Sequence, residues 1–540
     1  MPSSQASSEG GSDPVAVLGQ LAHWLATASF DCALGVALGT FAARSMRARH
    51  LHWSWAACAL VLLVLARPGL HGPAFALALA SLLAATRNRR WQREDIEAGG
   101  DLAELAARRQ TPVDLLRTLA RAGTLRLRAR VAAERWTGGH ELLLGVDEHR
   151  RGVSIPFDAS GDGGHALVVG ATGSGKTVTE TSIATHAIER GMGAIVVDPK
   201  GDRDMRERVR RAALAAGREF LEWTPDGDCV YNPYALGGAS EIADKALAGE
   251  QFTEPHYLRQ AQRYLGHVVR ALRRCGVEVS LRTIVEHMNP ERLELLARAL
   301  PEVEARAACA YLDSLSSRQR SELSGVRDRL AILAESDLGP WLDPQTVDAE
   351  RFDLLGAVRR RAVVYFSLHA DSRPLLSQML AAALVIDLQT AVAALQRAPV
   401  PTLVVIDEFS AIAGEQVVRL FARARSAGFT LVLGTQEISD LRLAGHERLL
   451  EQVLGNLSVL IAHRQVVPSS AELISEVAGT RGAWRVSRHS DGRWTRTRGR
   501  EPVLDADRVM SLARGWAAVL VLGDGGRARI ARIFSAAARR

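Results

Sequence analysis

Short apolar runs recur along the later part of the chain and alternate with helical patterns. They cover residues 166–169, 194–197, 362–367, 402–406, 430–434, 458–462 and 517–522. Runs of about four to six residues that are apolar at nearly every position suit strands buried on both faces, as in a parallel sheet covered by helices. The pattern therefore predicts an α/β fold with a mostly parallel central sheet.

Between residues 236 and 345 the strand pattern disappears and helical periodicity takes over, as in the segment 257–274. We therefore predict an all-α domain inserted into the α/β domain. Upstream of the first parallel strand, the apolar segments 142–146 and 153–157 flank a charged turn, which predicts a β-hairpin.

Two apolar stretches near the N-terminus, 51–66 and 70–85, are separated by an Arg-Pro-Gly turn. Each is slightly shorter than the roughly 20 residues that cross a bilayer, although flanking tryptophans and arginines can extend such a segment. Arginines on both outer sides favour a transmembrane helical hairpin over 51–86 with both ends in the cytoplasm. The stretch 21–43 could add a third span. The alternative is a buried helical pair in a soluble core.

Composition is that of an ordinary globular protein, with 47% apolar and 24% charged residues. The net charge of +7 permits contact with phosphates or anionic lipid. Lysine supplies only three of the 67 basic residues, at positions 176, 200 and 245. The five cysteines are scattered without metal-ligand spacing, which is typical of reduced thiols in a cytoplasm.

A phosphate-binding pattern, G-x-x-x-x-G-K-[ST], follows the apolar run 166–169 and precedes a helical segment. Its glycines let backbone N–H groups turn toward phosphates, and its lysine would contact the β- and γ-phosphates. The threonine hydroxyl would be a ligand of Mg²⁺. We therefore predict that ATP and Mg²⁺ bind to the loop Gly170, Ala171, Thr172, Gly173, Ser174, Gly175, Lys176 and Thr177.

Two carboxylates, Asp407 and Glu408, directly follow the apolar run 402–406. Asp407 would hold Mg²⁺ through water, and Glu408 would polarise the attacking water. An acidic pair at this place could instead cap the next helix, but the phosphate-binding pattern favours the catalytic interpretation.

Three further polar residues are candidates for the same site. Gln436 lies just past the run 430–434 and could hydrogen-bond the γ-phosphate or the attacking water, or be a plain strand-end residue. Arg425 precedes that run and could reach the site of a neighbouring subunit, with a surface role as the alternative. Lys200 lies in the turn Asp-Pro-Lys-Gly-Asp at 198–202, which explains the proline and glycine. The position of Lys200 is compatible with contact to a phosphate or to an acidic residue, but its chemistry alone assigns it no role.

The segment 481–500 interleaves arginines with Trp484 and Trp494 around an Asp-Gly turn. Arginines and tryptophans at this density could stack on bases and neutralise a single strand without reading its sequence. A solvated arm or a segment lying against lipid are the alternatives.

Four motifs resemble those of the conjugative coupling proteins, the TraD/TraG-type membrane ATPases within the FtsK/HerA superfamily of RecA-like P-loop ATPases. They are GATGSGKT at 170–177, DPKGD at 198–202, VVIDEF at 404–409 and RARSAGFTLVLGTQEISDL at 423–441. The order of a membrane hairpin, a P-loop and an inserted all-α domain is also similar to that of the family.

The resemblance implies a homohexameric ATPase in the bacterial inner membrane, with its ATPase domain in the cytoplasm. It would bring a DNA–relaxase substrate to a type IV secretion channel and pump single-stranded DNA. By the same resemblance, Glu408 is the catalytic carboxylate, Arg425 the trans-acting arginine and Gln436 the sensor. The C-terminal sequence RIFSAAARR lacks the acidic tail that some relatives use to bind accessory proteins, which leaves the choice of partners open.

Two other functions stay open at this stage. One is a HerA/FtsK-like ATPase for DNA processing or protein secretion, and the other is a membrane-tethered adaptor that is switched by nucleotide binding without hydrolysing the nucleotide. In both, and in the coupling protein, the expected division of the chain is the same. It comprises a polar N-terminus (1–14), a membrane anchor (15–95), linker helices with the β-hairpin (96–160), a nucleotide-binding domain in two parts (161–235 and 346–540) and the all-α insertion (236–345).

Overall fold

The computed structural model describes thirteen parts of the chain, which fall into two units, Met1–Ala129 and Arg130–Arg540. The described residues are 14–48, 54–66, 74–86, 141–149, 151–157, 164–225, 227–250, 252, 254–412, 414–442, 449–488, 494–522 and 527–534. The predicted linker helices between 96 and 140 lie outside them.

The described residues of the first unit form three helices, which overlap the three apolar stretches. They are α1 (Pro14–Ala48), α2 (Ser54–Ala66) and α3 (Ala74–Thr86). Met46, Ala56 and Ala80 form a small buried cluster between them. The 13 residues of α2 are fewer than the roughly 20 needed to cross a bilayer, so the transmembrane hairpin stays a prediction.

An eleven-stranded sheet forms the centre of the second unit. Its order is β2 (Gly152–Pro156), β1 (Glu141–Asp147), β15 (Arg527–Ile533), β14 (Trp516–Val521), β11 (Leu457–Ala462), β3 (His165–Val169), β10 (Phe429–Thr435), β9 (Thr402–Ile406), β4 (Gly193–Asp198), β8 (Val363–Ser367) and β5 (Phe220–Trp223). Strands from β11 to β5 pair in parallel, whereas β14, β15, β1 and β2 join by antiparallel pairs.

The mostly parallel sheet confirms the predicted fold class. The predicted hairpin is present as β1 and β2. The run 517–522, expected to be parallel, forms the antiparallel strand β14, because it pairs with β15 as a hairpin. The pattern missed β5, an edge strand whose residues are only alternately buried.

Helices connect the strands and cover the sheet. They are α4 (Lys176–Glu189), α5 (Arg203–Ala215), α12 (Leu354–Arg359), α13 (Pro374–Leu395), α14 (Phe409–Ile412), α15 (Gly414–Ala424), α16 (Leu449–Asn456), α17 (Pro468–Ala478) and α18 (Ala506–Met510). Short 3₁₀ turns lie at Gly339–Leu342, Arg425–Ala427 and Ile438–Leu441. Two small ribbons complete the unit: β6 (Cys229–Tyr231) with β7 (Glu350–Phe352), and β12 (Thr480–Arg488) with β13 (Trp494–Pro502).

A run of six helices lies between β6 and β7, in the segment predicted to be all-α. They are α6 (Ala239–Leu247), α7 (Pro255–Arg274), α8 (Leu281–His287), α9 (Pro290–Arg298), α10 (Glu302–Asp313) and α11 (Ser317–Ala334). In α7 the buried residues Leu265, Val268 and Leu272 repeat at helical spacing, which is why this segment folds as an amphipathic helix. At the start of α11, the Ser316 side chain and Gln319 form a reciprocal capping box.

The parallel strands are buried on both faces, as their apolar sequences require. Val404 of β9 belongs to the core on one face of the sheet, and Val405 to the core on the other. Among the described residues, α13 is the one helix long and apolar enough to cross a membrane, but 67% of its most apolar window is buried inside the protein. It therefore serves here as a core helix.

One fully buried ion pair joins the helical run to α13. The Lys245 ammonium in α6 donates to Asp387 Oδ1 at 2.6 Å and to the carbonyl oxygens of Pro233 and Leu236. The Tyr231 hydroxyl donates to the other carboxylate oxygen of Asp387 at 2.7 Å. The charges are thus matched and hydrogen-bonded, the condition under which a buried pair is tolerated.

Lys245→Met leaves the Asp387 carboxylate buried without its cationic partner. We expect the free energy of unfolding to fall by about 3–5 kcal/mol, the usual cost of removing one member of a buried ion pair. Denaturant unfolding of the full chain, followed by circular dichroism, measures it. The control Arg360→Met removes only an exposed pair with Glu219, and we expect it to cost less than about 1 kcal/mol. Equal losses in the two variants would contradict the role given to Lys245.

Candidate functional site

The glycine-rich loop lies at the carboxyl end of β3, where the two neighbouring strands hold it. The Gly170 N–H donates to the carbonyl of Thr435 at the end of β10, and the Ala171 N–H donates to the carbonyl of Arg464 beyond β11. Gly173 and Gly175 have φ values of 76° and 119°, which other residues rarely adopt. Helix α4 begins at Lys176, at the end of the loop, so its first N–H groups have no acceptor within the helix and are available to a phosphate.

Lys176 brings this loop together with the two predicted carboxylates. Its ammonium lies 2.6 Å from Asp407 Oδ1 and 2.6 Å from Glu408 Oε1, and all three side chains are almost fully buried. They meet because β3 and β9 are parallel and end at the same edge of the sheet, with β10 between them. Glu408 has a φ of 47°, a costly conformation for a residue with a side chain and one that clusters at functional sites.

The opposite charges of this cluster stabilise one another's ionised forms. Burial alone would lower the pKa of Lys176, but the surrounding carboxyl groups raise it above its ordinary value. Burial alone would raise the pKa of Glu408, but Lys176 and Lys200 hold it below its ordinary value. Glu408 is therefore ionised at neutral pH, as a group that accepts a proton must be.

Lys200 is also part of this cluster. Its ammonium lies 2.7 Å from Glu408 Oε1, the oxygen that Lys176 also contacts. The turn after β4 thus places its lysine beside the residue that follows β9, the neighbouring parallel strand.

Gln436 and Arg425 lie at opposite ends of β10. Gln436 follows Thr435, whose carbonyl accepts the Gly170 N–H, so it lies at the same edge as the loop. Arg425 precedes the strand, and its Nη2 is 3.0 Å from the Ser458 hydroxyl near the start of β11. A strand of seven residues separates the two, or about 20 Å. The structure therefore does not bring Arg425 to the loop of its own subunit, and its action on a neighbour stays a prediction.

A third carboxyl group, Glu180, was not foreseen. It lies one turn beyond Lys176 in α4, and neither of its oxygens has a hydrogen-bond partner among the described residues. A Cβ at Gly434 would lie 2.1 Å from Glu180 Oε1 and 2.7 Å from Asp407 Oδ1, so the glycine makes room for both. Burial, together with the charge of Asp407, raises the pKa of Glu180 well above its ordinary value.

His463 was missed as well. Its Nδ1 is 3.0 Å from the carbonyl of Trp516, and its Nε2 is 2.8 Å from the Thr179 hydroxyl in α4. Burial lowers the pKa of His463 to about 4, so the ring is neutral at physiological pH. Because a carbonyl only accepts, Nδ1 carries the proton and Nε2 accepts from Thr179. The ring thus fixes α4 against β14.

The residues present fit a nucleotide with Mg²⁺. The loop ends at the N-terminus of a helix, a place that favours phosphate, and the Ser174 hydroxyl is buried without a partner among the described residues. Thr177 follows Lys176 in α4, and Asp407 contacts the Lys176 ammonium, so both oxygen-bearing side chains are close in the fold to the lysine of the loop. Oxygen groups of this kind are what Mg²⁺ prefers, with Asp407 predicted to act through water.

Glu180→Gln tests the buried carboxyl. Because the pKa of Glu180 is raised by folding, the folded chain keeps a proton that the unfolded chain loses. The free energy of unfolding of the wild type therefore falls as pH rises above the ordinary glutamate pKa, by up to about 1.4 kcal/mol per pH unit. Glutamine fills the same space and does not titrate. We expect the variant to melt at a higher temperature than the wild type, and we expect the difference in melting temperature to be larger at about pH 8 than at about pH 5. The control Glu219→Gln, at an exposed position, should show no such dependence of the melting-temperature difference on pH. A difference for Glu180→Gln that becomes smaller as pH rises would contradict a raised pKa at Glu180.

Comparison with known proteins places the chain in a family. The model of the type IV secretion-system coupling protein DNA-binding domain matches residues 150–500. A segment of 55 residues is 46% identical to the type 4 coupling protein DotL of Legionella pneumophila subsp. pneumophila. That segment is 10% of this chain and only 7% of DotL.

Solved structures of a conjugative coupling protein share the fold. Unbound TrwBΔN70 superposes with a TM-score of 0.54 at 18% identity, over 74% of this chain and 90% of that one. TrwB in complex with ADP and Mg²⁺ gives the same TM-score and identity, over 74% and 91% of the two chains.

The matched family region contains the loop, Lys200, both carboxylates and Gln436, and it extends over more than half of the sequence. On these grounds the chain belongs to the coupling proteins of type IV secretion systems.

Proposed function

We propose that this coupling protein is a membrane-anchored, ATP-driven DNA translocase that delivers a DNA–relaxase substrate to a type IV secretion channel. The observation that carries the proposal is the meeting of Lys176, Asp407 and Glu408 at the P-loop, where the Lys176 ammonium lies 2.6 Å from an oxygen of each carboxylate. A loop for phosphates, a ligand for Mg²⁺ and an ionised base are the parts that nucleotide hydrolysis requires.

Each residue has a distinct task in this mechanism. The loop N–H groups and Lys176 would hold the phosphates. Thr177, and Asp407 through water, would hold Mg²⁺, which when bound would supply positive charge to balance that of the phosphates. Glu408 accepts a proton from the attacking water, and Gln436 orients that water. TrwB structures with ADP and Mg²⁺ and with a non-hydrolysable ATP analogue support the choice of ligand.

A homohexamer would complete the site. Arg425 lies at the edge of the sheet opposite the P-loop, where it is available to a neighbouring subunit rather than to its own. In a ring it would stabilise the charge that develops on the neighbour's phosphates.

DNA contact is proposed for the ribbon β12–β13. Its register pairs Trp484 with Arg498 and Arg488 with Trp494, and the side chains of Arg481, Arg498 and Arg500 are exposed. Alternating cations and aromatics along a two-stranded ribbon suit a single strand bound without sequence preference.

Membrane anchoring is proposed for the first unit. Large apolar side chains are exposed along α1, α2 and α3, including Phe30, Phe41, Leu62, Leu65 and Leu82. Helices that expose this much apolar surface are typical of a lipid environment or a helical partner. The ATPase unit would then lie on the cytoplasmic side of the bacterial inner membrane.

Two variants separate binding from hydrolysis. Lys176→Ala removes the cation that holds the phosphates, so we expect it to lose nucleotide binding. Glu408→Gln keeps the phosphate site but removes the base, so we expect it to bind ATP and to hydrolyse it about 10²–10⁴-fold more slowly. Fluorescent-nucleotide titration and phosphate release measure the two effects. Arg360→Met is the control, and unchanged hydrolysis in Glu408→Gln would refute the choice of base.

The nature of the transported cargo is tested with the purified full chain, solubilised in detergent. We expect single-stranded DNA to raise ATP turnover more than duplex DNA, because the ribbon neutralises one backbone and stacks on unpaired bases. The stimulation should weaken as salt rises. Turnover that no DNA stimulates would favour the HerA/FtsK-like protein-secreting ATPase instead. Nucleotide binding without any turnover would favour the nucleotide-switched adaptor.

A further inference from the structure

Lys200 differs from the other two lysines in its exposure. The side chains of Lys176 and Lys245 are 7% and 0% exposed, whereas that of Lys200 is 42% exposed. Its ammonium nevertheless reaches a carboxylate that is only 10% exposed, Glu408. Lys200 therefore joins the buried catalytic cluster to the protein surface.

The backbone around Lys200 is held rigidly. Asp198 Oδ1 accepts the N–H groups of Lys200 and Gly201, and its Oδ2 accepts the Asp202 N–H and the Tyr365 hydroxyl. Gly201 has a φ of 72°, which closes the turn. The starting point of the lysine side chain is thus fixed beside β9.

Glu408 is held by two ammonium groups at once. Lys176 and Lys200 both donate to Oε1, at 2.6 and 2.7 Å. Two charge-assisted donors on Oε1 fix the direction of the Glu408 side chain, which limits its freedom to turn toward an attacking water. When Lys176 turns to bound phosphates, Lys200 remains as the group that occupies this oxygen.

We propose that Lys200 is a positioning residue that holds Glu408 in a resting state, so that hydrolysis starts only when Lys200 is drawn away. The exposed side of Lys200 is where an anionic group from outside the cluster can compete for its ammonium. A phosphate group of bound DNA is such an anion, and DNA binding would thereby control the base. The inference rests on the proposed hydrolytic function.

Lys200→Met tests it in the full-length protein, with ATP turnover measured with and without single-stranded DNA. We expect turnover without DNA to rise about twofold to fivefold, the factor that corresponds to one partly exposed ion pair. The KM for ATP should stay within about twofold, and the maximal turnover with DNA should be unchanged, so that the stimulation by DNA shrinks. Lys200→Arg, which keeps a cation beside Glu408, should restore the wild-type response.

Opposite results would overturn the proposal. A fall in turnover, equal with and without DNA, would mean that Lys200 assists Glu408 in the reaction. A raised KM with unchanged turnover would make Lys200 a phosphate-binding group. If the wild-type protein consumes no ATP, the proposed function itself fails. If the wild type consumes ATP and Lys200→Met leaves turnover without DNA unchanged, only the proposal that Lys200 restrains Glu408 is wrong.

Discussion

The direction of the parallel strands is the constraint on which this site depends. Strands β3, β10, β9 and β4 are neighbours and run the same way, so the residues that follow them emerge side by side. That places the P-loop, Gln436, the carboxylate pair and Lys200 along one edge, although more than 250 residues of sequence separate the first from Gln436. A strand reversed within this set would carry its polar end to the opposite side of the sheet.

Charge balance then decides what this edge can contain. Two lysines face two carboxylates and hold the pKa of one of them, Glu408, below its ordinary value. Burial raises the pKa of Glu180, the third carboxyl group. A neutral Glu180 leaves the cluster without excess charge, which a buried environment favours. The same rule applies at Lys245, whose single positive charge is matched by Asp387.

Much of this arrangement was predictable from the sequence because its signals are local. Fully apolar runs identified the buried strands, and the P-loop and the Asp407–Glu408 pair follow such runs directly. Strand β5 was missed because an edge strand lacks the continuous apolar run, and the direction of β14 depends on its partner rather than on its own residues. Glu180 and His463 could not be found from the sequence, because burial and pairing between residues far apart in the chain decide their environments. For Lys200 the sequence allowed contact with an acidic residue but could not identify that residue as Glu408.

The scarcity of lysine has a practical consequence. Of the three ε-amines in the chain, two are enclosed within ion pairs and one projects partly into solvent. A mild acylating reagent applied to the folded protein would therefore modify Lys200 well before Lys176 or Lys245, and arginine would not react. The mass gained by the peptide that carries Lys200 would report how tightly this amine is engaged with Glu408, without any engineered label.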